Sequence, residues 1–295
     1  MTMQGILIVD KPAGWTSFDV IAKLRGILGT RKLGHSGTLD PMATGVLPVF
    51  CGSASKAVDL QENHDKTYRA VLQLGLRTDT GDITGTVLET GPVTAGEREL
   101  LAVLPQFEGE IRQLPPMYSA VKVNGMPLYK AARQGIQVER KPRTVTIYGI
   151  RYGGSPAPDA YALEVSCSKG TYIRTLAEDI AAAMGQKATL SALRRTQAGV
   201  YGEADAHTLA EIQAARENGT LEDLFLPVES VFLNLPLLVA DDTVRRHLEN
   251  GCPTSRYPAA DGRYRVRDKA GAFLGLARVE QGVLKVEKLF CERSA

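Results

Sequence analysis

Apolar residues recur at helical spacing in two separate stretches of this 295-residue chain. The first stretch follows Ser17, which we expect to be the N-cap of a helix because serine is favoured there. Its apolar positions are Val20, Ile21, Leu24, Ile27 and Leu28. The second predicts a helix over residues 171–184, with one apolar side. That side carries Ile173, Leu176, Ile180 and Met184.

Other stretches show the short apolar runs or the alternation that are typical of strands. They cover residues 5–9, 46–51, 68–74 and 161–167, and near the C-terminus residues 264–268, 272–277 and 283–286. Residues 29–45 have neither pattern and are predicted to form a loop. Strands and helices do not alternate regularly, so the sequence predicts the α+β class rather than a doubly wound parallel sheet.

Composition narrows the class of protein without identifying it. With 44% hydrophobic and 23% charged residues, the chain is typical of a soluble globular protein, and its length favours about two domains. The first apolar run is interrupted by Asp10 and Lys11 and is too short for a signal peptide or a membrane helix. The cysteines are scattered without CxxC spacing, so neither a zinc site nor a disulfide framework is indicated. We therefore expect a cytoplasmic protein with no membrane partner.

Charge is unevenly distributed, although the net charge is only +2. Residues 112–151 contain eight Lys or Arg residues and one acid, a net charge of +7. Residues 203–250 contain ten acids and three Arg residues, a net charge of −7. The basic segment also carries Tyr118, Tyr129 and Tyr148, as a surface that binds phosphates and stacks on bases would. A solvated basic loop with no ligand explains the charge alone equally well.

One aspartate lies in a run that is rich in glycine and proline. Asp40 precedes Pro41 and is flanked by Gly37 and Gly45. Glycine allows tight turns, and proline restricts the backbone beside the acid. Such a loop would present a single carboxylate at a fixed position, as a nucleophile or a base requires. An ordinary Asx-turn is the alternative for an isolated Asp-Pro pair.

The run around Asp40 resembles the catalytic loop of the TruB family of bacterial tRNA pseudouridine-55 synthases. Further blocks resemble the family in the family's order, from the first ten residues to about Arg195. These blocks are 34–41 (GHSGTLDP), 9–17 (VDKPAGWTS), 66–70 (KTYRA), 74–75 with 78–82 (LG, TDTGD), 115–122 (PPMYSAVK) and 168–175 (SKGTYIRT).

The resemblance implies roles for individual residues. It implies that Asp40 is the catalytic residue, that Arg174 pairs with it, and that Tyr68 stacks on the flipped uracil with its hydroxyl near C5. Further residues are expected to contact the substrate, some of them through phosphates. They are His35, Tyr172, Leu193, Lys11, Lys56, Lys122, Lys130 and Arg133. Asp40 could attack the sugar, attack the base or remove a sugar proton, and the sequence does not choose among these routes.

The resemblance also implies an architecture. We expect a catalytic domain over residues 1–235, built on a large mixed sheet with flanking helices. An RNA-binding thumb is expected as an insertion at about residues 112–151. Residues 236–295 resemble a small β-rich PUA-like domain, for which a purely structural β cap is the alternative. The expected partner is the T-arm and T-loop of tRNA, and the protein is expected to be a monomer with no obligate protein partner.

The expected reaction converts uridine 55 to pseudouridine after the base has left the stack. It involves no redox step, so we expect no cofactor and no metal. Two other classes of protein must be weighed. A non-catalytic RNA-binding or tRNA-folding protein would need neither Asp40 nor Arg174. A glycosidase would usually need two facing carboxyl groups, whereas here one acid is matched with an arginine.

Overall fold

The computed structural model describes residues 4–123 and 125–291. In chain order, its strands are β1 (Gly5–Lys11), β2 (Leu33–His35), β3 (Thr44–Cys51), β4 (Lys66–Leu74), β5 (Leu76–Thr78), β6 (Val87–Thr90), β7 (Gly109–Gln113), β8 (Lys122–Val123), β9 (Met126–Pro127), β10 (Arg143–Tyr152), β11 (Ala160–Cys167), β12 (Ala188–Ala198), β13 (Tyr201–Gly202), β14 (Leu237–Ala240), β15 (Thr254–Ser255), β16 (Gly262–Asp268), β17 (Phe273–Glu280) and β18 (Val283–Leu289). Its α-helices are α1 (Ser17–Leu28), α2 (Glu97–Val103), α3 (Leu128–Arg133), α4 (Ile173–Ala183), α5 (Leu209–Asn218) and α6 (Asp242–Asn250). Short 3-10 helices cover Gly52–Leu60, Leu104–Phe107, Glu203–Asp205, Leu221–Leu224 and Val228–Phe232.

A nine-stranded sheet forms the centre of the molecule. Its strand order is β1-β3-β12-β4-β11-β10-β7, with β2 beside β3 and β13 beside β12. Most neighbouring strands are antiparallel, whereas β3 and β12 run parallel, so the sheet is mixed as predicted. Gly45 permits the contact between β3 and β12, because a Cβ at that position would lie 2.2 Å from the carbonyl oxygen of Arg195. This parallel pairing joins the end of the Asp40 loop to β12.

The α-helices α1, α2, α4 and α5 cover one face of this sheet with a single apolar core. Helix α1 contributes the five apolar positions that the sequence predicted, and α4 contributes Ile173, Leu176 and Ile180. Helix α1 is capped by Thr16, whose hydroxyl accepts a hydrogen bond from the backbone N–H of Asp19. The Asp19 carboxylate in turn accepts a hydrogen bond from the backbone N–H of Thr16, which completes a capping box. The prediction of Ser17 as the cap is therefore wrong by one residue.

The opposite face of the sheet packs against the C-terminal part of the chain. Side chains alternate along β1, so Leu7 and Val9 enter the first core while Ile6 and Ile8 enter a second one. Residues from both ends of the chain share this second core. They include Ile6, Ile8, Val46, Phe50, Phe232, Leu276 and Phe290. Phe232, Phe273 and Phe290 contact one another with ring centroids 5.7–6.3 Å apart.

The C-terminal part contains a second, five-stranded sheet in the order β14-β16-β17-β18-β15. Helix α6 packs on it around a third small core. The prediction of a mixed catalytic sheet followed by a small β-rich unit is confirmed. Ion pairs also cross the junction between the two sheets. Glu229 contacts Arg265 and Arg267 with N–O distances of 2.5 and 2.7 Å, and Arg263 lies 3.2 Å from Glu62.

Residues 114–142 leave the large sheet between β7 and β10. Among the residues that the structure describes there, this segment contains the two-residue strands β8 and β9 and the helix α3. Strands β7 and β10 include Arg112, Arg143 and Arg151, so both ends of the predicted basic insertion lie in the sheet. Across the described ranges, no helix is both long and apolar enough to traverse a bilayer.

Candidate active site

A cleft of about 400 Å³ opens on the helical side of the large sheet. Its walls come from the loop after β2, from the chain before β4, from β4 and β12 themselves, and from the turn that leads into α4. The lining residues include Gly37, Asp40, His64, Lys66, Tyr68, Lys169, Tyr172, Arg174 and Leu193. Five residues that the sequence singled out therefore meet in one place: Asp40, Tyr68, Tyr172, Arg174 and Leu193.

The loop that carries Asp40 is fixed on both sides of the acid. Ser17, which is buried at the start of α1, accepts a hydrogen bond from the backbone N–H of Leu39 at 2.9 Å. Its hydroxyl lies 3.3 Å from the carbonyl oxygen of Leu39, to which it donates. On the other side, the carbonyl of Pro41 accepts from the N–H of Gly14 at 2.8 Å. The acid is therefore held by α1 and by the chain after β1.

Arg174 forms the predicted ion pair with Asp40. Its Nε lies 2.9 Å from Oδ2 of Asp40, and its Nη2 donates to Oδ1 at 3.1 Å. The same guanidinium donates to the carbonyl oxygens of Thr80 at 2.5 Å and Tyr118 at 2.7 Å. Arg174 is only 3% exposed, whereas a third of the Asp40 side chain remains open to the cleft. Two carbonyl oxygens and the Asp40 carboxylate therefore fix the Arg174 guanidinium, while Asp40 itself stays accessible from the cleft.

Opposing effects set the ionisation of Asp40. Burial raises the pKa of this carboxyl above its usual range, and the nearby charge of Asp82 raises it further. The charges of Arg174 and Lys11 act in the opposite direction and favour the carboxylate. A desolvated carboxyl whose ionised form is favoured by a neighbouring guanidinium is typical of a catalytic nucleophile or base.

Tyr68 and Leu193 give the cleft an apolar wall. They lie on the adjacent strands β4 and β12 and are each 7% exposed. Burial raises the pKa of the Tyr68 phenol, while the positive charge of Arg195 opposes that shift. The phenol is therefore neutral at physiological pH and can exchange hydrogen bonds with a ligand. A planar aromatic ring next to a leucine is suited to a base that enters the cleft.

Tyr172 is held through its backbone by a residue that the sequence analysis missed. Gln113, the last residue of β7, is completely buried. Its Oε1 accepts from the N–H of Tyr172 at 3.0 Å, and its Nε2 donates to the carbonyl of Tyr172 at 3.3 Å. Tyr172 is the N-cap of α4 and makes no side-chain capping bond, so Gln113 fixes the start of the helix that carries Arg174. Its place just before the Pro115-Pro116 block is the signal that the sequence offered.

Lys11 does not face phosphate as predicted. It is fully buried, and its Nζ donates to the carbonyl oxygens of Pro12 at 2.9 Å, Trp15 at 2.5 Å and Pro41 at 3.2 Å. Burial lowers the pKa of this ammonium to about 8, and Arg195 adds to the effect while Asp40 opposes it. Because three carbonyls take its donors, Lys11 supports the Asp40 loop from beneath.

Two other predicted contact residues lie away from the cleft lining. His35 lies on β2, half-buried, with an Nδ1 that has no hydrogen-bond partner among the described residues. Burial lowers its pKa, with Arg195 adding to the shift, so the ring is neutral at physiological pH. Lys56 is exposed on the 3-10 helix Gly52–Leu60 and borders a groove against the C-terminal sheet. Neither residue contacts Asp40.

Lys122, Lys130 and Arg133 all lie in the segment 114–142 and are exposed. Lys122 is in β8, and the other two are in α3, where the Arg133 guanidinium lies 5.7 Å from the ring centroid of Tyr129. Tyr118 of the same segment supplies the carbonyl that Arg174 binds. This segment therefore contacts Arg174 of the Asp40–Arg174 pair through its backbone and presents its cations to solvent.

Arg195 is a further residue that the sequence analysis did not assign. It is fully buried, and it donates through Nε to Val46 at 2.7 Å and through Nη2 to the carbonyl of Gly37 at 3.1 Å. It therefore ties β12 to both ends of the segment that carries Asp40. Among the described residues, no group of three or more His, Cys, Asp or Glu side chains is arranged to hold a metal ion.

Two family models match adjoining parts of the chain. The TruB family pseudouridylate synthase N-terminal domain matches residues 25–173, and the tRNA pseudouridylate synthase B C-terminal domain matches residues 174–233. The chain belongs to the TruB family. The predicted enzyme class, a tRNA pseudouridine synthase and thus an isomerase, is confirmed. The boundary between the two matches falls within the cleft, since Tyr172 and Arg174 lie on either side of it.

Curated relatives resemble this TruB-family chain over nearly its whole length. The tRNA pseudouridine synthase B of Pseudomonas fluorescens strain Pf-5 is 46% identical over 284 residues, covering 95% of this chain and 92% of the relative. The protein of the same name from Dechloromonas aromatica strain RCB is 44% identical, covering 96% of this chain and 93% of the relative.

Solved structures show the same fold in larger assemblies. A chain of a Cbf5-Nop10-Gar1 complex matches with a TM-score of 0.74 and 27% identity, covering 98% of this chain and 85% of that one. A chain of an H/ACA RNP bound to a substrate RNA containing 2'-deoxyuridine matches with a TM-score of 0.73 and 25% identity, covering 98% and 86%.

Proposed function

We propose that this enzyme isomerises uridine to pseudouridine at position 55, in the T-loop of tRNA. The observation that carries the proposal is the Asp40–Arg174 pair inside a cleft of about 400 Å³ with Tyr68 and Leu193 on its wall. This volume lies in the range of sites that enclose one small molecule. The names of the curated relatives support tRNA as the substrate.

The position of Asp40 requires the target base to leave its stack. Its carboxylate is a third exposed and lines a cleft of about 400 Å³, a volume suited to one nucleotide base rather than to a stacked pair. A flipped nucleotide can enter, and its base then packs against the Tyr68 ring. That one similar structure is bound to a substrate RNA supports a nucleotide substrate for this fold.

The reaction breaks the C1′–N1 bond, turns the uracil and forms a C1′–C5 bond, and the proton on C5 is lost as N1 gains one. Asp40 can attack the sugar, attack the base or remove a sugar proton, and each route uses the ionised carboxylate that Arg174 favours. The Tyr68 hydroxyl, on the wall of the same cleft, is suited to take part in proton transfer at C5. The chain's own side chains supply all of these functions.

The remaining parts of the chain are proposed to hold the RNA. The exposed cations Lys122, Lys130 and Arg133 of the segment 114–142 would grip the T-arm, since phosphates attract unpaired cations. Residues 236–295 would touch the acceptor side and add less affinity. Residues 1–235 would form the catalytic domain of an enzyme that acts as a monomer.

The decisive experiment maps pseudouridine in an unmodified tRNA transcript after incubation with the purified enzyme. We expect one modified residue, at position 55. A matched transcript with cytidine at position 55 serves as the control and should gain no pseudouridine. Modification elsewhere in the transcript with position 55 untouched would contradict the assignment.

A further inference from the structure

Two lysines that the sequence analysis did not assign line the same cleft as Asp40. Lys66 begins β4, and Lys169 lies in the turn after β11. In the described part of the chain, no carboxylate lies within ion-pair distance of either ammonium. The cleft is therefore lined by Asp40, which is paired with Arg174, by Asp59, and by two lysines that have no ion-pair partner among the described residues.

Lys66 is the more constrained of the two. Its Nζ donates to the carbonyl oxygen of His64, which leaves two N–H groups for another acceptor. Its Cε would lie 3.2 Å from a Cβ built on Gly37, so the lysine borders the loop that carries Asp40. Because the side chain is half-buried, leaving its charge without an anion is unfavourable.

Neighbouring positive charges also make the charged form of Lys66 unfavourable in the absence of a ligand. The pKa of Lys66 is lowered to about 8, mainly by burial and then by the positive charges of Arg195 and Lys169, while Cys167 and Asp65 act in the opposite direction. His64, whose own pKa is lowered by burial and then by Lys169 and Lys66, faces the same cluster. Cations that repel one another at the wall of a cleft are stabilised when a ligand brings a negative charge.

A path for a negatively charged chain leads away from this cluster. Lys169 and Gly170 also line a second groove, which contains Lys122, Lys141 and Arg143. The Arg143 guanidinium lies 5.8 Å from the ring centroid of Tyr172, at the edge of the cleft. A polyanion that occupies both the cleft and this groove would therefore meet several cations and, in the groove, one acid, Glu139, and would neutralise the excess positive charge as an RNA backbone does.

We propose that Lys66 and Lys169 bind a phosphodiester adjacent to the flipped uridine, and that the RNA strand continues from there into the groove beside Arg143. The inference rests on the proposed function, because it assumes a nucleotide at Asp40. It places a phosphate contact on the cleft wall in addition to those of the segment 114–142.

The test combines lysine variants with neutralised phosphates. Lys66→Met and Lys169→Met are compared with Lys23→Met, an exposed lysine of α1 outside the cleft. The probe is a T-arm hairpin RNA in which one phosphate, on the 5′ or the 3′ side of the target uridine, is a methylphosphonate. We expect each cleft variant to bind the unmodified hairpin about tenfold more weakly, as for a lost charged hydrogen bond. With one of the two methylphosphonate RNAs, wild type and variant should bind equally.

Three outcomes separate the possibilities. Equal binding on one neutral RNA supports the inference, and a loss that is the same on every RNA overturns it. Unchanged binding by both variants also overturns it. Lys169 is exposed, so Lys169→Met remains informative if thermal unfolding shows that Lys66→Met is destabilised. Failure of the proposed function would look different, since the wild-type enzyme would then leave the unmodified hairpin without pseudouridine.

Discussion

The catalytic cleft and the junction with the C-terminal sheet use charged residues in opposite ways. At the junction, Glu229 is satisfied by Arg265 and Arg267, and Arg263 lies between Glu62 and Glu287. In the cleft, Arg174 and Asp40 form a pair, whereas no carboxylate of the described residues lies within ion-pair distance of Lys66 or Lys169. The paired charges at the junction therefore stabilise the contact between the two sheets, whereas we propose that the two lysines of the cleft bind a ligand.

The comparison also changes how the charge pattern of the sequence is interpreted. The segment 203–250 is strongly acidic, yet several of its carboxylates are structural. Glu203 contacts Arg69 and Arg194, and Glu229 contacts two arginines of β16. Its net charge of −7 therefore does not describe an acidic surface of that strength. Charge per segment is a weak guide until partners are known.

The largest expected effect concerns the accessible acid of the cleft. Asp40→Asn should lower pseudouridine formation on the order of 10³-fold or more, because the carboxylate that performs the chemistry is lost. Tritium release from C5-labelled uridine in tRNA measures the activity, and a filter assay measures binding. Binding should persist, and Asp223→Asn on the surface should leave both unchanged. Near-normal release would remove Asp40 from the mechanism.

Arg174→Met should give the second largest loss of pseudouridine formation. Breaking a buried pair costs about 3–5 kcal/mol, which corresponds to about 10²- to 5 × 10³-fold in rate if the whole cost falls on the transition state. Without the guanidinium the pKa of Asp40 rises further, so the acid limb of the pH–rate profile should move to higher pH. Single-turnover rates from pH 5 to 9 test this. Arg98→Met, at an exposed pair with Glu99, should change neither the rate nor the profile.

Gln113→Leu should lower turnover more than it lowers affinity. The variant removes two hydrogen bonds to the backbone of Tyr172, and a buried group left unsatisfied costs about 1–3 kcal/mol. We expect kcat to fall about tenfold with KM nearly unchanged, since the start of α4 loses its fixed position. Gln73→Leu on the half-buried side of β4 is the matched control. Equal losses of kcat in both variants would show that Gln113 contributes only to packing and has no specific role through Tyr172.

Glu229→Gln should affect stability and spare catalysis. We expect a loss of about 2 kcal/mol, less than for a fully buried pair because Arg267 is partly exposed. Burial alone would raise the pKa of Glu229, but Arg267 and Arg265 outweigh it and lower the pKa. The contribution of Glu229 is therefore present above the pKa of an unfolded glutamate and lost as the pH falls through the folded value. Urea unfolding at pH 7 and pH 3 measures this, and Glu280→Gln, in a pair of 3.9 Å, is the control.

The smallest effect at low salt is expected from the exposed cations of the segment 114–142. Changing Lys122, Lys130 and Arg133 together to methionine should leave the rate at saturating RNA unchanged. The slope of log affinity against log salt should flatten by about 0.7–0.9 for each lost phosphate contact. Binding of a T-arm hairpin between 50 and 300 mM salt tests this. An unchanged slope would show that these cations stay in solvent when RNA binds.

Local features of the sequence predicted much of the fold and the centre of the site. The apolar stripe of α1 and the alternation of β4 needed only neighbouring residues, and both were found. The loop around Asp40 carries its own turn residues, and the family resemblance pointed to Arg174. These features could be predicted because each depends on residues that are close together in the sequence.

The remaining features depend on partners that are distant in the chain. Lys11 looks like a surface lysine in the sequence, and only the fold brings the carbonyl of Pro41 to its Nζ. Ser17 was expected to cap α1, but it bonds to Leu39, 22 residues away, and Thr16 takes the cap. Gln113 reaches Tyr172 across 59 positions. Burial and long-range pairing decide such roles, and periodicity does not encode them.

The alternation of side chains along β1 has a consequence for how the enzyme is made. The buried core around Leu7 and Val9 is complete once the residues up to Leu221 have been synthesised, since Ile212 and Ala215 of α5 and then Leu221 are its last members. Ile6 and Ile8 share their core with Leu276 and Phe290, which are synthesised about 270 or more residues later. One side of β1 therefore stays partly uncovered until Leu276 and Phe290 have been synthesised. During that interval the nascent chain exposes apolar surface of the kind that chaperones bind.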